Sequence, residues 1–153
     1  MPSPRDMIDD RPDENLFRVH RAAFTDPDVF GREMADIFDR CWLYIGHESQ
    51  IPEHGDFMAT RLGSHPVFAM RGSDRSIRCF YDACSHRGSK LTGRTSGNAK
   101  TITCRYHGWC FNADGACTLV RGGEEAYRPE DLDRMGTDLR QIEHFGDYKG
   151  FLF

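Results

Sequence analysis

The sequence has no internal repeat, no low-complexity block and no apolar run of the length that a signal peptide or a membrane span requires. Its first fifteen residues are polar and acid-rich, so a membrane partner is not expected and a cytoplasmic location is. An excess of positive charge is lacking too. Lys and Arg number 20 against 24 Asp and Glu, a net charge of -4 with the two signs interspersed. No basic stripe of the kind that follows a phosphate backbone stands out, which argues against nucleic acid. Nor is the chain poor in apolar residues. With 39% hydrophobic and 29% charged residues it is no disordered polymer, and 153 residues suit about one folded unit.

What the sequence does hold is six cysteines and seven histidines. In a reducing compartment, cysteines at distinctive spacing are metal ligands more often than disulfides. Cys84-Ser85-His86 is followed, after seventeen residues, by Cys104-Arg105-Tyr106-His107, so two short segments each offer one thiolate and one imidazole. Two thiolates suit a ferric iron, and two neutral imidazoles suit a second iron that changes oxidation state. Gly88 and Gly108 follow the two segments and allow a close backbone approach to a bound group. A structural zinc site is the alternative. Its ligands usually come as cysteine pairs two to four residues apart, unlike the single residue between Cys84 and His86. His20, His47, His54, His65 and His144 have no cysteine at ligand spacing and read as surface or hydrogen-bonded residues. Cys110 and Cys117 flank a turn at Asp114-Gly115, where facing each other across a hairpin is the alternative, and read as buried free thiols.

A leader runs to about Phe24. Asp26 before Pro27 then marks a helix start, because Asp caps free amides and Pro is tolerated at the first helical position. Phe30, Met34, Ile37, Phe38 and Cys41 recur at helical spacing, which predicts a helix packed against a sheet. Beyond it the pattern changes to short β-branched and aromatic stretches at 57–62, 66–70, 76–81, 101–104 and 117–120, separated by turn signals that include Gly97-Asn98. That spacing predicts an antiparallel all-β sandwich or small barrel. The charged stretch 121–138 reads as a surface excursion with one helical turn at Pro129–Met135. The apolar run 150–153 reads as a strand cut short, with more protein expected after it.

Cys-Ser-His-Arg-Gly followed by Cys-Arg-Tyr-His-Gly-Trp resembles the signature of Rieske two-iron, two-sulfide proteins. Respiratory members carry an extra cysteine in each loop, where this chain has Ser89 and Tyr106, and a serine where it has Trp109. The resemblance is therefore to the low-potential type, near the bottom of a range of roughly -150 to +300 mV. His20-Arg21, Phe24-Thr25-Asp26-Pro27, the stretch from Trp42 to Pro52 and Gly55-Asp56-Phe57 extend the likeness to the α subunits of aromatic-ring-hydroxylating oxygenases. Gly136-Thr137-Asp138-Leu139 and the closing Tyr148-Lys149-Gly150-Phe151-Leu152-Phe153 are similar to the benzoate, toluate and salicylate group. Cys110 and Arg105 depart from the usual motif without removing a ligand.

The resemblance implies a mainly β fold. Its parts would be a leader and N-terminal helix over 1–45 and, over 46–153, a Rieske-type antiparallel sandwich with a small cluster-binding subdomain. Cys84, His86, Cys104 and His107 would hold a [2Fe-2S] cluster, with both imidazoles at the surface. The function implied is a relay of single electrons from an NADH-dependent reductase or ferredoxin to a mononuclear Fe(II) that hydroxylates an arene with O2. That second iron belongs to a C-terminal catalytic domain not contained in these residues. The implied partners also include a neighbouring α subunit and a β subunit. A stand-alone Rieske electron carrier and a zinc-binding interaction module are the competing readings.

Overall fold

In the computed structural model, which describes residues 3–153, the chain divides into two compact units, the first ending at Trp42 and the second beginning at Leu43. The first unit holds a hairpin, β1 (Ile8–Arg11) and β2 (Leu16–Val19), followed by α1 (Ala22–Thr25) and α2 (Pro27–Glu33). Asp26 caps α2 as the sequence predicts, its carboxylate accepting the Asp28 amide at 2.9 Å with Pro27 at the first helical position. The helix does not run on to Cys41. The Asp39 amide reaches back five residues to the Met34 carbonyl, so the final turn, Met34–Phe38, is a widened π turn. Nor is the expected apolar face buried, since Phe30 and Ile37 remain 60% and 50% exposed.

The second unit is built on three antiparallel sheets. β3 (Gly46–His47) comes first, then the long pair β4 (Asp56–Leu62) and β5 (His65–Arg71), then β6 (Ile77–Tyr81) and β7 (Ser96–Asn98). β8 (Thr101–Thr103), β9 (Cys110–Asn112) and β10 (Cys117–Leu119) form a smaller sheet. The excursion contains α3 (Gly123–Ala126) and α4 (Pro129–Met135), the second matching the predicted turn, and β11 (Asp147–Tyr148) and β12 (Phe151–Leu152) end the chain. The central sheet has the order β6-β5-β4-β7, and β11-β12-β3 forms the third.

The predicted antiparallel, mainly β fold is present, and alternation along β5 explains how its parts hold together. Val67 and Ala69 point into one apolar cluster with Ile45, Ile51, Met58, Cys79 and Leu152. Phe68 and Met70 point into another with Phe80, Trp109 and Phe111, and all four of these β5 residues are fully buried. A strand buried on both faces reads as a continuous apolar run, as 66–70 does. Each large side chain so buried stabilises the unit by about 1.5–3 kcal/mol. Cys84 and Cys104 belong to the second cluster, so the candidate site is seated in the core.

Gly97-Asn98, read as a turn, instead lies inside β7, paired with Phe57 and Asp56 of β4. The Phe57 ring explains the glycine, because a β-carbon at 97 would stand 3.1 Å from its Cε1.

Candidate metal centre

The two loops that carry the Cys-His pairs leave β6 and β8 and share one backbone design. In the first, the Cys84 amide donates to the Ser89 carbonyl and the Gly88 amide donates back to the Cys84 carbonyl, both at 2.8 Å. In the second, the Cys104 amide donates to the Trp109 carbonyl at 2.8 Å and the Gly108 amide to the Cys104 carbonyl at 2.9 Å. Offsets of five and four residues recur, although histidine follows cysteine by two positions in one loop and by three in the other. Gly88 and Gly108 close the turns at φ 68° and 76°, a region that side chains disfavour.

Both cysteines are buried, and the loops aim backbone amides at their sulfurs. Burial acts to raise the Cys104 thiol, but hydrogen bonds from the amides of Tyr106 and His107, with Cys84 and Ser89 beside it, bring it below the ordinary thiol range. Cys84 is raised by burial, against the amide of His86, and by the facing Cys104.

The His86 and His107 rings meet edge to face, their centroids 4.6 Å apart. His86 also lies flat on the buried Trp109, at 4.8 Å and 6° between planes. Burial lowers its pKa, helped by His107 and Arg87, which favours the neutral imidazole that a metal needs. His86 Nδ1 and Trp109 Nε1 are the buried side-chain nitrogens left without a hydrogen-bond partner among the described residues. Two such orphans on adjoining rings mark a place where a further group is accommodated. Both histidines are half-buried, part of each residue remaining open to solvent. Tyr127 Oη takes up His86 Nε2 at 2.9 Å, and the exposed Tyr106 ring lies 3.8 Å from that of His107.

The structure therefore sets Cys84 beside Cys104 and His86 beside His107, and two of the other histidines make ordinary contacts. His47 bonds Ser49, and His65 packs edge-on against Tyr81. Cys110 and Cys117 are free thiols, half-buried rather than buried as expected, and their register on β9 and β10 sets them opposite Leu119 and Phe111 rather than each other. Three supporting features were not read from the sequence. Asp82 clips the first loop. The Ser85 hydroxyl donates to the Thr137 carbonyl at 2.6 Å. Finally, the interspersed charge of the whole chain hides a local bias: residues 83–113 contain Arg87, Lys90, Arg94, Lys100 and Arg105 and no carboxylate. All five are exposed, and among the described residues only Lys90 has a carboxylate within 4.0 Å, the buried Asp82 at 3.9 Å.

Residues 41–129 match the model of the Rieske [2Fe-2S] domain. The chain belongs to this family. Its similarity extends well past the matched region. It is 40% identical over 148 residues, 96% of its length, to the toluate 1,2-dioxygenase α subunit of Pseudomonas putida. It is 36% identical over 146 residues to the anthranilate 1,2-dioxygenase large subunit of Acinetobacter baylyi. These matches bear out the likeness to the benzoate and toluate group. Among solved structures, naphthalene 1,2-dioxygenase from Rhodococcus sp. superposes with a TM-score of 0.78 at 31% identity, over 88% of this chain and 30% of that one. The Rieske chain spans about a third of the length of these relatives, 33% and 30% of the toluate and anthranilate enzymes.

Proposed function

We propose that Cys84, Cys104, His86 and His107 hold the [2Fe-2S] cluster of this Rieske domain, the thiolates on one iron and the imidazoles on the other, and that the chain relays single electrons. The observation that carries this reading is the orphaned, buried Nδ1 of His86, on a ring that meets His107 beside two buried cysteines. The arrangement of donors supports it as well. Among the described residues no three His, Cys, Asp or Glu side chains gather around one point, whereas a thiol pair and an imidazole pair match irons that each take two protein ligands. When bound, such a cluster supplies reversible one-electron chemistry.

The chain's own residues fit that role. The amides of His86, Tyr106 and His107 offer hydrogen bonds to the ligating sulfurs. Trp109 and Leu91 pack the interior side against water. Ser89, Tyr106 and Trp109, where high-potential members carry two cysteines and a serine, keep the potential low. His107 under the exposed Tyr106 gives electrons a way in, and the cationic loops around it suit a donor with an acidic face.

By likeness to its relatives, the donor is an NADH-dependent reductase or ferredoxin. The electrons go on to a mononuclear iron in the catalytic domain of a neighbouring α subunit, in an assembly that includes a β subunit. There a benzoate-like arene is hydroxylated with O2. Free cysteines suit the cytoplasm, and no helix among the described residues is long and apolar enough to cross a membrane.

Iron and sulfide analysis of the purified chain tests the assignment. Two of each per chain and a rhombic EPR signal on reduction are expected, with the cluster lost in Cys84→Ser, Cys104→Ser, His86→Ala and His107→Ala. A chain that stays colourless and iron-free after anaerobic reconstitution, or that takes up zinc instead, overturns it.

A further inference from the structure

The excursion after β10 reaches the site through one side chain. Tyr127 ends α3, its amide bonded to the Gly123 carbonyl at 2.9 Å, and its ring packs with Leu132 against the cluster that contains Cys84, Cys104 and Trp109. The ring stands edge-on to both His86 and Trp109, with centroids 5.9 Å away and interplanar angles of 88° and 82°. From that position the hydroxyl lies 2.9 Å from His86 Nε2, the ring nitrogen opposite the orphaned Nδ1.

We propose that Tyr127 is a positioning residue for His86, holding its ring in place and holding down the reduction potential of the site. The proposal rests on the cluster assignment above. With Nδ1 reserved for iron, a neutral imidazole carries its proton on Nε2, so the Tyr127 hydroxyl is the acceptor and Nε2–H the donor. A partner that accepts this hydrogen bond makes the imidazole more electron-rich and a stronger ligand. The stronger ligand favours the oxidised iron, so the potential falls. The same contact restrains ring rotation, which the stacking on Trp109 restrains from a second side.

Two variants of the cluster-loaded chain separate the hydroxyl from the ring. Tyr127→Phe keeps the packing and removes only the acceptor; it should retain full iron and sulfide content while its midpoint potential, measured by voltammetry at fixed pH, moves upward and the reduced-state EPR g-values shift. Tyr127→Leu removes ring and acceptor together and should move the potential in the same direction, and either variant that loads serves for comparison with the wild type. An unchanged potential in Tyr127→Phe, or a shift confined to Tyr127→Leu, overturns the inference, because packing alone would then account for the residue. A wild-type chain that fails to bind iron overturns the cluster assignment instead, so the two failures are told apart before any variant is made.

Discussion

The carboxylate of Asp82 accepts both the amide and the hydroxyl of Thr92, and so closes the first Cys-His loop on itself ten residues after it begins. The Leu91 amide donates to the same carboxylate at 2.9 Å, and Asp82 is only 2% exposed. Cys84 and His86 lie on the loop thus clipped. Asp82→Ala strands two buried amides and a hydroxyl, and should destabilise the domain by about 3 kcal/mol and lower its iron content. Asp82→Asn keeps an acceptor for the amides and should lose less. Thr92→Val removes one bond, for about 1 kcal/mol. Urea melts measure all three, and an Asp82→Ala value within error of wild type would show that the clip holds nothing.

Gly115 and Gly88 both adopt positive φ, at 90° and 68°, yet should respond differently to alanine. At Gly88 a β-carbon meets nothing within 4 Å, leaving only the backbone penalty of about 1 kcal/mol. At Gly115 it would stand 2.4 Å from Cε1 of Phe80, a core ring that is 1% exposed. Gly115→Ala should therefore cost about 3 kcal/mol or more through overpacking. Thermal melts of the two variants should rank them in that order, and equal values would contradict the packing argument.

The candidate Cys-His pairs were legible because their pattern is local: cysteine, histidine and a closing glycine sit within five residues in each loop. Strands β4, β5 and β6 were legible because each is long enough for β-branched and aromatic residues to form a pattern. Tyr127 was not, since it meets His86 across 41 residues from within a charged, Gly-containing stretch where nothing marks a partner. β7 was hidden because its glycine makes room for Phe57, and Gly-Asn is a turn signal wherever no such neighbour is known. The helix after Pro27 was over-read: a repeat of apolar residues gives a period, but the π turn at Met34–Phe38 breaks that period and no burial accompanies it. The cationic bias of 83–113 is local, and the carboxylates on either side of it cancel it in the net charge of the whole chain.

That bias yields a kinetic prediction. Exposed, unpaired cations act over a Debye length of about 8 Å at physiological ionic strength, so reduction by an acidic donor protein should slow steeply as salt is raised. Reversing two charges in Arg94→Glu/Lys100→Glu should lower the second-order rate by about tenfold at low salt and flatten the salt dependence, with the midpoint potential unmoved. Stopped-flow reduction across ionic strengths reads both quantities. A rate insensitive to salt in the wild type would place the donor elsewhere.

Cys79 offers a pH test of the core that is separate from the metal. Its side chain is fully buried on β6, and desolvation pushes the thiol up to about 12 against a bond from the Phe80 amide. Unfolded, the same thiol ionises near its ordinary value of about 8.5. Between those two values the unfolded chain has released this proton and the folded chain has not, so the unfolded state is favoured as pH rises. The contribution is fully present below about pH 8.5 and is lost towards pH 12, with a slope of at most about 1.4 kcal/mol per pH unit. Other groups titrate in the same window, so the comparison must be with Cys79→Ala, whose smaller side chain gives a constant offset from lost packing but no thiol to ionise. The gap between wild type and Cys79→Ala should narrow from pH 8 to pH 11 in parallel urea melts. The exposed Cys41 should meanwhile react with an alkylating reagent at pH 8 while Cys79 stays protected. A gap that stays constant through that range would mean that Cys79 gains access to water well before the domain unfolds.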